Sequence, residues 1–371
     1  MDVIDRLLNV YSMTGIQALT IGHVVMLMVG SLFIYLAIVK KYEPLILLPL
    51  GFGVILTNLP LGDLLGHGLF EQLYIPLETE VFPLLIFVGV GALTDFGPLI
   101  AYPFSMLCGA AAQLGIFVVM ILSVVIGFTL AEGSAIGSTG GADGPIAVWA
   151  AIRLAPHLLG PIAAAAYSYM ALVPLIQPPI MQALTTQKER ETVMEQLRPV
   201  SAREKIIFPI ALTVLVGLII PAAIPLVGAL AVGNLLRVSG VTDRLAAAAG
   251  NEMINIITIL LTLTVGVTMQ AETFLVVETV QIMVLSLIAF TVGTAGGVIM
   301  GKILYWVTGG KVNPLIGSAG VSAIPMAARV SQNEGRKANP QNFLLMHAMG
   351  ANVAGVIGTT VAIGLLIALA Q

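Results

Sequence analysis

Along the chain, apolar runs long enough to cross a bilayer alternate with short polar clusters from residue 21 to the end. A spanning helix needs roughly 20 mostly apolar residues. By that measure spans are expected near 21–40, 44–60, 82–94, 98–130, 158–180, 206–232, 253–270, 276–306 and 343–370. Shorter, broken elements are expected near 134–150 and 313–330. Phe96 to Ala131 contains no Asp, Glu, Lys or Arg and exceeds one span, so it holds a long helix plus part of another, or two short ones. The expected fold is an all-α polytopic membrane protein with about 10 or 11 transmembrane segments. Proline and glycine interrupt many of these runs, which lipid tolerates only where protein or a water-lined cavity satisfies the freed backbone groups. Residues 1–20 mix Asp2, Asp5 and Arg6 with apolar positions. They lack the basic start and small-residue cleavage site of a signal peptide and are read as a short interfacial helix.

Polar residues between the runs orient the chain. The 182–205 loop carries Lys188, Arg190, Arg198, Arg203 and Lys205, and Lys40 and Lys41 close the first span. Both segments are expected to be cytoplasmic. Leu61 to Glu80 carries Asp63, Glu71, Glu78 and Glu80 with no Lys or Arg and should face outward. The 182–205 loop divides the membrane region into halves, 21–181 and 206–371.

The halves echo each other. Residues 136–145 read IGSTGGADGP and residues 316–325 read IGSAGVSAIP, both fitting I-G-S-x-G-x-x-x-x-P. A weaker echo pairs Val88-Gly89-Val90, ahead of Asp95, with Val265-Gly266-Val267, ahead of Glu272. One Arg follows the first motif copy before Leu159, whereas Arg329, Arg336 and Lys337 follow the second, as opposite orientations require. Two inverted repeats, each with a glycine-rich broken or re-entrant helix, form a transporter architecture whose paired interruptions mark the binding site.

Composition agrees. The chain has 371 residues, 58% hydrophobic and 9% charged, with a mean hydropathy of +1.02. Soluble domains carry about 25% charged residues, so lipid is the solvent here. Net charge is −3, and no basic face suggests nucleic acid. Single Cys108 rules out an internal disulfide or a CxxC site. His23, His67, His157 and His347 are scattered, against a histidine metal site. No G-x-x-x-x-G-K-[ST] supports coupling to ATP.

Asp143 carries the most chemistry. A carboxylate at bilayer depth costs about 2.5–3.5 kcal/mol on insertion scales, so it needs a cation, a proton or an arginine. Nearby glycines expose carbonyl oxygens, and a carboxylate with carbonyls and hydroxyls makes a plausible sodium cage. The structural alternative is an ion pair with Arg153. In the second copy Ala323 stands in the place of Asp143, while Ser322 brings a hydroxyl. Asn313, ahead of Pro314, offers an amide oxygen where the backbone leaves the helical region. Gly317 permits close backbone approach. Arg329 lies two helical turns beyond Ser322, where it can hold an anionic carboxylate or serve as a plain cytoplasmic anchor. Tyr169 and Asn352 stand in apolar spans, each a ligand or a core hydrogen-bonding residue. Asp95 is a weaker candidate at the end of a span. Trp149 and Trp306 read as interface or packing residues.

At these residues the chain resembles the β subunit of sodium-pumping biotin-dependent decarboxylases acting on oxaloacetate, methylmalonyl-CoA or glutaconyl-CoA. The resemblance rests on Gly137-Ser-Thr-Gly-Gly-Ala-Asp-Gly-Pro145, Tyr167-Ser-Tyr-Met-Ala-Leu-Val-Pro174, Asn313-Pro-Leu-Ile-Gly317 and Gly320-Val-Ser-Ala-Ile-Pro-Met-Ala-Ala-Arg-Val330. It extends from about Thr20 to the C-terminus. It implies a cell-membrane subunit that decarboxylates carboxybiotin, consumes a proton and exports Na+. It also implies a carboxyltransferase α subunit, a biotin carrier protein, a small γ/δ membrane subunit and a homo-oligomer. By resemblance, Asp143 is the sodium- and proton-coupled carboxylate with Tyr169 beside it. Asn313, Gly317 and Ser322 form a second sodium-associated region, and Arg329 lies near the carboxybiotin end. Asn352 joins the metal set from its place in the repeat alone.

The residues themselves leave a second reading open, a secondary sodium/carboxylate symporter without biotin chemistry. A membrane scaffold without transport leaves Asp143 unexplained.

Overall fold

The computed structural model describes residues 14–62, 64 and 68–370, and among them there is no β-strand. The interfacial helix expected over residues 1–20 lies largely outside the described residues, as do Asp63 and His67.

Fifteen helices carry the architecture. In the first half they are α1 (Ile21–Ile38), α2 (Pro44–Thr57), α3 (Leu69–Glu78), α4 (Val81–Leu93), α5 (Ser105–Ala112), α6 (Leu114–Val125), α7 (Leu130–Gly137), α8 (Gly144–Leu154) and α9 (Leu159–Leu184). In the second half they are α10 (Ala202–Ile219), α11 (Ile224–Val238), α12 (Ile254–Val267), α13 (Val277–Val307), α14 (Met326–Ala338) and α15 (Leu345–Ala370). Among the described residues seven helical segments are long and apolar enough to cross a membrane, or eight if the bent α3–α4 pair is one span. The chain is an all-α, multi-pass membrane protein.

Two departures from the expected spans have local causes. The single span expected over 206–232 is two helices. α10 stops at Ile219 because Ile220 precedes Pro221 and sits at φ −133°, ψ 81°, outside the helical region. A 3₁₀ turn at Pro221–Ala223 then reverses the chain into α11. The segment read as outward-facing, placed in none of the expected spans, contains α3, whose contribution of Glu71 to its first turn suits the helix dipole.

The repeat is visible in the elements. α1 and α10 each have 18 residues, and α9 and α15 each have 26. The halves also exchange partners: α4 packs on α11, and their counterparts α12 and α2 pack on each other. Glycines make both contacts close. A Cβ at Gly91 or Gly233 would strike the Leu230 or Val88 carbonyl, and one at Gly266 or Gly53 would strike the Leu50 or Leu263 carbonyl. These contacts make Gly91 the counterpart of Gly266, two residues out of register with the Gly89 match read from the sequence.

The result is two groups of helices. One contains α1–α4 and α10–α12, and the other contains α5–α9 and α13–α15. They meet where α4 touches α8, where α9 touches α12, and where α15 passes the Pro221–Ala223 turn. A cavity of about 490 Å³ lies between them.

Candidate functional site

Both broken elements belong to the second group and touch through their backbones. In the first, Thr129 and Glu132 form a capping box that starts α7. The helix tightens to a 3₁₀ turn at Ser138–Gly141, and Ala142 adopts the left-handed conformation at φ 54°. Asp143 then caps α8, its Oδ1 accepting from the Ile146 N–H at 3.0 Å. In the second, Asn313 caps a 3₁₀ stretch at Pro314–Gly320, extended residues follow, and α14 begins at Met326. The Ser322 N–H donates to the Gly141 carbonyl at 2.7 Å, stitching the two interruptions together.

Asp143 and Ser322 line the same cavity. Asp143 is 9% exposed and has no ion-pair partner among the described residues. The structural alternative for it is therefore not realised: Arg153 forms a two-point ion pair with Glu80 and lies over the Trp149 ring. Trp149 Nε1 donates to the same Glu80 carboxylate at 2.8 Å. α8 is thus clamped at the end remote from Asp143, by Glu80 of the segment read as outward.

The remaining cavity walls include Ile86 and Val90 of α4, Tyr167 and Met170 of α9, Met326 and Met349, and a polar strip of Asn255, Thr258 and Thr262 on one face of α12. Glu43, the left-handed residue that starts α2 at φ 37°, stands at the edge of this lining. Arg329, exposed in the first turn of α14, acts electrostatically on Glu43. Burial pushes the Glu43 carboxyl above its ordinary value, and the Arg329 charge opposes that rise.

The other expected site residues do different things. Tyr169 is not among the residues that line the cavity, and its hydroxyl donates to the Met283 carbonyl at 2.7 Å. Tyr167 shares the cavity with Asp143, is 1% exposed, and its hydroxyl has no hydrogen-bond partner. Gly144 makes room for that ring, since a Cβ there would overlap Tyr167 Cε1. Asn313 does not line the cavity. Its Oδ1 accepts from the Leu315 N–H at 3.0 Å, and its Nδ2 donates to the Arg190 and Thr192 carbonyls at 2.9 and 2.8 Å. The 182–205 segment is thereby strapped across the second broken element rather than hanging free. Asn342 adds a further bond to the Arg190 carbonyl at 2.8 Å. Gly317 faces Gly297 of α13, and a Cβ on either would strike the other's carbonyl, so its place is one of close packing. Asn352 donates to the Ala319 and Val321 carbonyls at 3.1 and 2.6 Å, leaving its Oδ1 buried and unpartnered. Asp95 pairs with Lys205 at 3.2 Å, away from this cavity.

Sequence reasoning overlooked Tyr167, Glu43 and the α12 strip. The strip had a signal: Asn255, Thr258 and Thr262 recur at helical spacing in an otherwise apolar span. Glu43 had none. Among the described residues no group of three or more His, Cys, Asp or Glu could hold a metal ion. Any cation here would rest on one carboxylate with neutral oxygens, a donor set suited to hard ions.

Comparison with known proteins bears on this arrangement. Residues 22–370 match the family described as the Na+-transporting oxaloacetate decarboxylase beta subunit. The chain belongs to this family. It is 56% identical over 361 residues to the methylmalonyl-CoA decarboxylase subunit beta of Veillonella parvula, covering 97% of this chain and 96% of that one. It is 53% identical over 364 residues to the glutaconyl-CoA decarboxylase subunit beta of Acidaminococcus fermentans, covering 98% and 97%. The oxaloacetate decarboxylase beta chain of Haemophilus ducreyi is 47% identical over 427 residues, covering 98% of each.

Proposed function

We propose that this chain is the cell-membrane subunit of a sodium-translocating decarboxylase, one that cleaves carboxybiotin presented by a partner carrier and couples the reaction to sodium export. The observation that carries the reading is Asp143: a buried carboxylate without a cationic partner among the described residues, facing a cavity it shares with Ser322. A carboxylate so placed is neutralised by a bound cation or by a proton. The two are mutually exclusive on one group, which is what exchange of sodium for a proton requires.

The cavity fits a carboxylated ureido ring. Met170, Met326, Met349, Ile86 and Val90 supply apolar walls, while Asn255, Thr258, Thr262 and Ser322 supply hydrogen-bonding groups. When bound, N-carboxybiotin supplies an N–CO2⁻ bond whose cleavage releases CO2 and takes up one proton at the ureido nitrogen. Arg329 draws the carboxylate toward the mouth, and Glu43 tempers that charge. Asp143 holds sodium in one state and the proton in the other. Tyr167, with its free hydroxyl beside Asp143, takes the position that the sequence reading gave to Tyr169. Asn352 supports the site by holding the Ala319 and Val321 carbonyls, and Asn313 and Gly317 set the shape of the second broken element. Sodium release outward requires that sodium and proton favour different arrangements of the two helix groups. The 182–205 loop is cytoplasmic in this reading. The partners are a carboxyltransferase α subunit, a biotin carrier and a small γ/δ membrane subunit.

The test is CO2 release from carboxybiotin by the purified chain in lipid with its partner subunits, measured against sodium concentration. Sodium-dependent release that disappears in Asp143→Asn is expected. Absence of release by the natural chain, with sodium-driven uptake of a di- or tricarboxylate instead, overturns the reading in favour of a symporter.

A further inference from the structure

Three buried side chains from separate parts of the chain form a hydrogen-bonded chain beside the crossing of the broken elements. Ser322 Oγ lies 2.6 Å from Thr359 Oγ1 of α15. Thr359 Oγ1 donates to Oε1 of Gln113, the residue between α5 and α6, at 3.0 Å. Gln113 Nε2 donates to the Gly109 carbonyl at 2.8 Å and reaches the Gly355 carbonyl at 3.4 Å. Ser322, Thr359 and Gln113 are 4%, 0% and 6% exposed.

Counting protons fixes the direction of every bond. Carbonyls only accept, so the amide of Gln113 must turn its NH2 toward Gly109 and Gly355 and its oxygen toward Thr359. An amide oxygen only accepts, so the single Thr359 proton goes to it. Thr359 Oγ1 is then an acceptor toward Ser322, and the single Ser322 proton fills that contact. What Ser322 retains for the cavity is lone-pair density without a proton.

We propose that Gln113 and Thr359 are positioning residues that lock Ser322 Oγ as a pure electron-pair donor to the sodium ion at Asp143. This rests on the sodium reading above and extends it. Hard cations are held by oxygen lone pairs, and a hydroxyl free to rotate would present its proton to the ion part of the time. The backbone is shaped around the relay. A Cβ at Gly141 would fall 2.5 Å from Thr359 Cγ2, and one at Gly358 would fall 2.9 Å from Gln113 Nε2. Gly141 also accepts from the Ser322 N–H, so the same residue admits Thr359 and aligns Ser322.

The experiment uses the full chain in lipid with its partner subunits and measures the sodium concentration giving half-maximal CO2 release. In parallel, the melting temperature of the purified chain is compared in NaCl and KCl. Thr359→Val keeps the shape and removes the relay, and its half-saturating sodium should rise about tenfold, equivalent to about 1.4 kcal/mol. Saturating sodium should restore the rate to within about twofold, since affinity rather than chemistry is altered. Thr359→Ser keeps the hydroxyl and should match the natural chain in both measurements. The extra stabilisation by sodium over potassium should shrink in the valine variant only. Should Thr359→Val not fold, Gln113→Met, which frees the Thr359 proton, is judged by the same shift. An unchanged half-saturating sodium, or melting temperatures lowered equally in both salts, overturns the relay. So does a serine variant as impaired as the valine one. A natural chain with no sodium response at all instead overturns the reading of the site itself, and is seen before any variant is made.

Discussion

The two broken elements share a sequence motif and are held in different ways. The first is held mostly by its own side chains. Ser138 and Thr139 donate to the Ala135 and Ile136 carbonyls one turn back, and Asp143 caps the helix it begins. The second has a matching Ser318 bond to the Leu315 carbonyl and its own Asn313 cap, and is in addition held from outside: Asn352 and Gln177 donate to the Ala319, Val321 and Ser318 carbonyls, and Asn313 ties its start to the 182–205 segment. Only the first carries a carboxylate. The repeat thus divides the work, with charge placed in a rigid, self-capped turn and neutral oxygens in a strand-like stretch whose position neighbouring helices set. An element held by its neighbours moves when they move, which is what a site coupled to rearrangement of two helix groups needs.

That division can be broken at either end. The largest effect is expected from Asp143→Asn, which should reduce sodium-dependent CO2 release to background. Its melting temperature in sodium-free buffer should be no lower than that of the natural chain, because a buried charge is removed. Next is Asn352→Leu, which strands two buried carbonyls, each worth about 1–3 kcal/mol. Thermal unfolding should show that loss, together with weaker sodium stabilisation, if the second element is propped from outside. Gly144→Ala drives a methyl into the Tyr167 ring and should cost about 1–3 kcal/mol by overpacking, checked by melting temperature in detergent.

The tyrosine pair gives a finer contrast. Tyr169→Phe loses its bond to Met283 and should cost about 1 kcal/mol while leaving the sodium response alone. Tyr167→Phe has no hydrogen bond to lose. It should melt with the natural chain yet shift the pH profile of CO2 release, and the reverse pattern would restore Tyr169 to the site.

The smallest effect is expected at Glu43. Burial raises its carboxyl, so the folded chain binds that proton more tightly than the unfolded one. The stability it contributes is present at low pH and is lost as pH rises from the ordinary carboxyl value of 4.5 through the raised one. Glu43→Gln should flatten that decline and melt above the natural chain at neutral pH.

Much was legible in the sequence because lipid imposes simple rules. Apolar length marks a span, and a carboxylate within it demands an explanation. On those grounds the all-α, multi-pass fold followed from residues alone, and the motif echo and Asp143 were marked as the features to explain. Sequence pattern does not fix which of two tyrosines two positions apart faces the carboxylate. Tyr167 and Tyr169 lie on different faces of α9, and both faces are apolar enough for either to be the inner one. The split of 206–232 was readable from Pro221, whose effect on Ile220 is local.

The amino-acid sequence by itself determined the medium, the helices and the two interruptions, since hydropathy and helix breaking act over one or two turns. Tertiary structure alone decided that Arg153 serves Glu80 and leaves Asp143 unpaired. It also decided that Asn313 anchors a loop and that Gln113 and Thr359 reach Ser322. Those assignments join residues up to 246 positions apart, and one hydrogen-bond length separates a partner from a bystander. Such distances are set by how the helices of the two halves pack, which no local pattern encodes.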